Sequence, residues 1–399
     1  MVSETGTYYK ELYSLLHNSS EDLRIILMSA TPMFDKPVEI ALTMNLLRLP
    51  KSIPTGREFE RLFIKENRVN SKTHYKVKNM DLFKNMIKGY VSYYMGAPSY
   101  TFPTMTIKYV ECEMSDFQYS IYKRVLKKEG IEPLLRVPSK QDIVYAANLP
   151  NNFYIGTRSV SNIVYPNKKV GDQGLESFTV ERIQSKLAKY SCKLDKIISN
   201  IRRSKGKAFL YSGFKEHAGL RAAVQVLEAN GYKNYKKHGP GEKRFAVWSG
   251  DESVQFKDEI REVYNRTDNI YGNKLKLILG SPSIKEGVSF KGVRSVHVFE
   301  PYWNKSRLDQ VVGRASRFCS HIDLPENERN VKVYVYIAMH RNEKITVDQY
   351  IKKLSDTKNK IIKKFEQAIR ESAVDCHLNL YANKENDDDE INCVGIKHV

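Results

Sequence analysis

The amino-acid sequence predicts an α/β fold, a parallel sheet with helices on both faces, followed by a helical C-terminal extension. Two observations carry this. Between Leu194 and Ile337 short apolar runs alternate with stretches of helical spacing, the order that builds βαβ units. Hydrophobic residues make up 41% of 399 positions, enough for the cores of two or three domains. No repeat of solenoid length is present, so the alternation reflects one layered sheet.

The elements follow in order. Leu194, Ile197, Ile198 and Ile201 line one helix face ahead of a strand at Ala208–Tyr211. A helix through Leu220, Val224 and Leu227 leads to a strand at Phe245–Trp248. A helix over 253–265 precedes strands at Leu275–Leu279 and Val296–Phe299, then a helix after Asn304 and a strand at Val331–Ile337. Upstream, a helical pattern at Tyr8, Leu12, Leu15 and Leu16 precedes a strand at Ile25–Met28, and Ile40–Leu47 reads as a helix. Residues 66–82 read as a polar surface excursion. A strand at Met105–Val110 leads into Ser115 and Gln118, spaced as a capping box. Residues 129–188 read as an irregular bridge. From Val347 apolar positions recur at helical spacing with lysines between them, a basic amphipathic helix, and an acidic tail containing Asp387–Glu390 is expected to be disordered.

Charge and cysteines bound the chemistry. Formal net charge is +19, which points to a phosphate-rich partner. No apolar run has the ~18 residues of a membrane span. Met1–Glu4 carries no secretory signal pattern, so an intracellular protein without a membrane partner is expected. Cys112, Cys192, Cys319, Cys376 and Cys393 contain no C-x-x-C pair, which predicts neither a disulfide framework nor a zinc site and suits a reducing compartment. His217, His238, His321 and His377 show no metal-ligand spacing, and His297 is expected to pack within its strand.

The densest chemistry lies in Trp303–Arg317. Ser306 and Asp309 suggest a helix start, and a helix continued to Arg317 would put Gln310, Gly313, Arg314 and Arg317 on one face. Two guanidiniums and an amide at a strand end suit a phosphate-reading surface, because Arg presents a planar fork of fixed charge. A solvated basic face is the competing reading.

The spacing Q-x-x-G-R-x-x-R resembles motif VI of superfamily 2 helicases, and the W-N ahead of it resembles the Snf2 version. Ser29–Ala30–Thr31 resembles motif III, Ala208–Ser212 motif IV and Gly280–Ser289 motif V, all in family order. The strings GYVSYYMGAPSYTFP (89–103), SGFKEHAG (212–219), EPYWN (300–304), GRASRFCSH (313–321) and ESAVDC (371–376) are similar to poxvirus-type helicases of large DNA viruses. That group includes nucleoside triphosphatase I and the small subunit of the early transcription factor.

The resemblance implies a RecA-like fold over 191–345, preceded by the tail of a first RecA-like domain (1–110) and a bridge (111–190). A helical extension (346–380) and a tail (381–399) would follow. It implies catalytic roles for Arg314, Arg317 and Gln310, the arginines facing the γ-phosphate of ATP. Ser29, Ala30, Thr31, Gly313, Glu286 and Gly287 would couple ATP to movement. Ser212, Gly213, Ser281, Ser283 and Lys285 would grip a DNA or RNA backbone. ATP and Mg²⁺ are implied as cofactors, held mainly by a first motor domain, because neither a G-x-x-x-x-G-K-[ST] loop nor a D-E-x-H string occurs here. The chain is then a fragment or half of a split motor, with a separate N-terminal half and viral RNA polymerase as further partners. A viral protein of this kind would work in the host cytoplasm or the virion. The alternative is a non-catalytic nucleic-acid-binding or polymerase-docking factor that keeps the fold.

Overall fold

The protein is described from a computed structural model covering residues 6–69, 72–96, 99–130, 154–284, 288–384 and 390–394. Lys285, Glu286, Gly287 and the acidic run Asp387–Asp389 lie outside these described residues.

Nine strands are described: β1 (Ile64–Val69), β2 (Lys72–Val77), β3 (Thr104–Glu113), β4 (Lys207–Tyr211), β5 (Lys233–Asn234), β6 (Arg244–Trp248), β7 (Leu277–Gly280), β8 (Val293–Val298) and β9 (Asn330–Met339). Seven of them form one sheet in the order β3-β9-β8-β4-β7-β6-β5, and every pairing is parallel. The expected fold class is the observed one. Strand β9 shows why the sheet needs two layers of helices. Val333, Val335 and Ile337 enter one hydrophobic cluster, while Tyr336 and Ala338 enter the other. The sheet also takes in β3, which crosses the boundary expected at residue 110.

Before β3 lie α1 (Thr7–His17), α2 (Val38–Asn45), α3 (Gly56–Phe63) and α4 (Met80–Ile87). After it come α5 (Asp116–Lys128), α6 (Ile155–Asn162), α7 (Gly171–Glu176), α8 (Val180–Tyr190) and α9 (Cys192–Arg203). Within and after the sheet are α10 (Leu220–Ala229), α11 (Tyr235–His238), α12 (Val254–Asn265), α13 (Lys305–Val312) and α14 (Val347–Ser372). Helix starts follow local chemistry: Ser191, Ser253 and Asn304 each accept a backbone N–H with the side chain, and Thr346 with Gln349 forms a full capping box. Ser115 caps α5, but Gln118 does not reach back. Its amide donates to the Val160 and Ser161 carbonyls and its oxygen accepts from Cys192 N–H, so it joins α5, α6 and α9 instead.

Helix α14 braces the N-terminal region against the sheet. Phe365 stacks on Phe59 at 5.5 Å and meets Phe83 edge-on at 5.1 Å. Lys358, 1% exposed, binds Asp35 at 2.9 Å, and Glu371 binds Lys84 at 2.5 Å. One of the lysines of the amphipathic helix is therefore a buried cross-link rather than a solvated charge.

Several sequence expectations are revised. Residues 25–28 are not a strand: Ile26 and Met28 are 83% and 89% exposed. No strand lies beside them among the described residues, and an unpaired strand leaves its N–H and C=O groups without a ladder. The polar segment 66–82 is the antiparallel β1–β2 hairpin plus the start of α4, with Tyr75 and Val77 packed inward. The bridge contains α6, α7 and α8, whose buried face includes Thr157, Ser161 and Asn162, residue types that read as loop. Cys376 and Cys393 form a disulfide. The chain turns back along α14, where Val394 N–H donates to the Glu371 carbonyl at 2.7 Å, a return path invisible in cysteine spacing. The described part of the tail is therefore pinned.

His297 is wholly buried, as its place in the strand suggested. It contacts the Tyr336 hydroxyl at 2.8 Å and the Ser295 hydroxyl at 3.1 Å. Burial lowers its pKa from the ordinary 6.5 to about 3. In that window the unfolded chain binds a proton that the folded one refuses, so stability present above pH 6.5 is lost as pH falls toward 3. Urea midpoints measured from pH 7 to 4 should fall less steeply for His297→Gln than for the natural protein. Parallel curves would contradict the assignment.

Candidate functional site

The strands of a parallel sheet all end on one side, where loops can converge. Here β4 ends at Tyr211, β7 at Gly280 and β8 at Val298, and each runs into a quoted motif. Gly280 is required by space: a Cβ there would lie 2.3 Å from Ile284 Cδ1 and 2.7 Å from the Phe209 ring. The following turn is closed by Ser281, whose hydroxyl meets that of Ser283 at 2.7 Å and accepts from Ser283 N–H.

Helix α13 brings Gln310 to a cleft with Arg307, Arg314, Tyr211, Pro282 and Ile284. The helix starts at the Asn304 cap, two residues before Ser306, and ends at Val312. Gly313–Ser316 then form a turn, so the single face expected to run to Arg317 is broken. Arg314 faces the cleft, and its carbonyl accepts from Phe290 N–H at 2.8 Å. Arg317 turns back and donates from Nε to the Gly313 carbonyl at 3.0 Å. The two arginines are thus not equivalent.

Arg307 is the residue the motif reading missed. It precedes Gln310 by three positions, one helical turn, which was the available signal. Its Nε and the Tyr211 hydroxyl are both buried without a hydrogen-bond partner, and its guanidinium lies 5.4 Å from the Tyr302 ring centre. The cleft's polar groups are three side chains rich in N–H donors plus a tyrosine hydroxyl, with no carboxylate among the described lining residues. This set of donors fits the oxygens of a phosphate. Among the described residues no group of three His, Cys, Asp or Glu could hold a metal.

Ser212 is fully buried and donates to Glu300 at 3.0 Å, and Gly213 N–H donates to the same carboxylate. Ser29, Ala30 and Thr31 are exposed, with Thr31 N–H donating to the Ser29 hydroxyl at 3.1 Å. Four residues further on, Asp35 is anchored on Lys358 of α14.

Glu300, which sequence reasoning quoted without assigning, organises the strand ends. Burial raises its pKa, opposed by Arg158 and Lys193 and by the Gly213 and Ser212 hydrogen bonds. Arg158 lies between the Phe214 and Trp303 rings at 4.9 and 5.2 Å. Asn162 links Glu300 (3.3 Å) to Lys193 (2.7 Å), and Lys193 binds Asp348 of α14 at 2.5 Å with both side chains essentially inaccessible.

Residues 192–319 match the helicase conserved C-terminal domain. A protein of Acanthamoeba polyphaga mimivirus named as an ATP-dependent RNA helicase is 48% identical over 395 residues, covering 98% of this chain and 68% of that protein. The chain belongs to this family of viral helicases. A termination factor NPH-I homolog of African swine fever virus is 26% identical over 432 residues, covering 94% of this chain and 60% of its own length. A solved structure, the C-terminal part of the Fun30 ATPase domain, aligns over 64% of this chain and 90% of its own at 14% identity and TM-score 0.41. The helicase chain thus spans 68% and 60% of these two viral relatives.

The buried Lys193–Asp348 pair ties α9 to the start of α14. Lys193→Met would strand the Asp348 carboxylate, whose Oδ1 already lacks a partner, and should cost about 3–5 kcal/mol in denaturant unfolding. A loss below about 1 kcal/mol would show that the pair does not hold the fold.

Proposed function

We propose that this chain is the second lobe of an ATP-dependent nucleic-acid motor working in viral transcription. The observation that carries the reading is the convergence of Gln310 and Arg314 with Arg307 in one donor-rich cleft at the strand ends. ATP, held with Mg²⁺ mainly by a first lobe, supplies the phosphoryl group and the energy of its transfer. Arg314 and Gln310 meet its terminal phosphate from this side, Arg314 as the finger that offsets transition-state charge. Arg317 shapes the turn that aims Arg314, through its bond to the Gly313 carbonyl. Ser281 and Ser283 keep the loop after β7 in shape, Glu286 and Gly287 couple ATP to movement, and Lys285 grips the nucleic-acid backbone. Ser212 and Gly213 act through Glu300, fixing the loop after β4 that borders the backbone track. Ser29–Ala30–Thr31 carries movement between the lobes.

The nucleic acid is gripped through its phosphates, with little base preference, and a viral RNA polymerase is the assembly in which the motor works. The host cytoplasm is the expected setting. The name of the African swine fever virus relative supports a role at transcription termination.

The 399-residue chain alone should show no nucleic-acid-stimulated ATP turnover, since its sequence contains no phosphate-cradling loop. In a complete motor, Arg314→Ala should lower turnover by ~10³-fold or more, about 4 kcal/mol of transition-state stabilisation. Arg314→Lys should fail nearly as badly, because a point charge lacks the fork. Nucleotide-free nucleic-acid affinity should stay unchanged in both. Steady-state ATPase and fluorescence-anisotropy titrations, run side by side, decide the matter. Intact turnover with weakened, salt-sensitive binding would instead mark a solvated basic face and favour the non-catalytic docking factor.

A further inference from the structure

At the opposite end of the sheet, where the strands begin, lies a groove that the motor cleft does not use. Its floor is the face of β8 and β9 carrying Ser295, Lys332 and Tyr334, with Ser295 paired to Lys332 in register. One wall is the end of α9 with Arg203 and Lys205, and the other is edge strand β3 with Lys108. Arg294 completes a set of five basic side chains in the lining. At least one strand length, ~13 Å for the five residues of β4, separates this end from the cleft of Arg314.

The charges are poorly compensated. Arg294 is paired to Glu328 at 2.6 Å, yet its Nε is buried without a hydrogen-bond partner. Arg203 donates to Asn200 at 2.6 Å, near the carbonyl end of α9, where a cation is favourable. Lys108, Lys205 and Lys332 are exposed and make no ion pair among the described residues. Three like charges held together by a sheet and a helix end repel one another unless a polyanion lies across them.

We propose that this groove binds the phosphate backbone of a nucleic acid, as a second contact separate from the motor cleft. An acidic protein segment is the rival occupant, but protein interfaces rest on buried apolar anchors, and here the lining offers only Tyr334. A phosphate backbone needs cations and neutral donors, and Asn200, Ser204 and Asn330 supply the latter. The contact gives the chain a hold on the strand that does not depend on nucleotide. It rests on the reading that this chain acts on nucleic acid, but it is measured apart from turnover.

The test uses the 399-residue chain with Lys108→Gln, Lys205→Gln and Lys332→Gln combined, and each alone. Binding to a 30-mer duplex and a 30-mer single strand is titrated at several salt concentrations. The log–log salt slope should become shallower by about 2 to 3 in the triple variant and by about 0.7 to 0.9 in each single variant. Affinity at low salt should fall roughly ten-fold or more in the triple variant, and the triple Lys→Arg variant should keep it. The single variants decide the question should the triple variant not fold. Unchanged slopes overturn the proposal. So does loss of binding to a polyglutamate probe with nucleic-acid affinity intact, which would assign the groove to an acidic protein. In the complete motor, the triple Gln variant with a collapsed salt slope and an intact Arg314-dependent turnover separates this contact from the motor reading.

Discussion

A single buried ionic network fixes where everything else in this lobe can sit. Lys193, on α9, is inaccessible to solvent and must be compensated, because a lone ammonium removed from water costs several kcal/mol. Asp348 at the start of α14 supplies the charge, and Asn162 at the end of α6 supplies a neutral acceptor. The Asn162 amide nitrogen then reaches Glu300 and the Ala218 carbonyl. Three helices and the loops after β4 and β8 thus meet at one polar point. Buried ion pairs add little net stability, but they permit one arrangement of their partners and penalise others. The consequence here is positional: α13 begins five residues after Glu300, so the direction in which Gln310 and Arg314 emerge is tied to that network.

The sheet was legible in the sequence because its strands and helices have distinct periods and obey local capping rules. Ser253 and Asn304 begin their helices through hydrogen bonds that span three residues, a range that sequence spacing can express. Ser115 shows where this fails. Its spacing to Gln118 matches a capping box, but Gln118 is buried, and the side-chain oxygen that would accept from Ser115 N–H accepts from Cys192 N–H of α9 instead. Residues 25–28 fail for a related reason: β-propensity makes a strand only where a neighbour completes the ladder. The Cys376–Cys393 bond depends on the chain folding back along α14, which no spacing rule contains.

The cleft was partly legible. Gln310 and Arg314 line the same cleft, although Arg314 sits in the turn two residues past the end of α13. Arg317 departs because α13 ends at Val312, and beyond the last helical residue the period no longer governs direction. The turn at Gly313–Ser316 is set instead by long-range bonds, Phe290 N–H to the Arg314 carbonyl and Gly292 N–H to the Ser320 carbonyl. These pull the motif VI turn onto the segment leading into β8. Arg307 escaped notice although its spacing was right, because the motif begins at Gln310 and the face extends one turn earlier.

Helix α14 connects these features mechanically. Over its 26 residues it holds Asp348 to Lys193, Lys358 to Asp35 and Glu371 to Lys84. Its middle also borders a second cavity, where Lys352 lies 4.3 Å from the Tyr109 ring centre and binds Asp356, across from Arg307 and Tyr302 of the α13 side. Close-packed elements transmit displacement because their interiors have few voids to absorb it. Arg307 and α14 face one another across that cavity. Any rotation of α14 in turn pulls on Asp35, four residues beyond Thr31. In this architecture α13 and the segment following Ser29–Ala30–Thr31 both address α14, the one across the cavity beside Arg307 and the other through the Asp35–Lys358 pair.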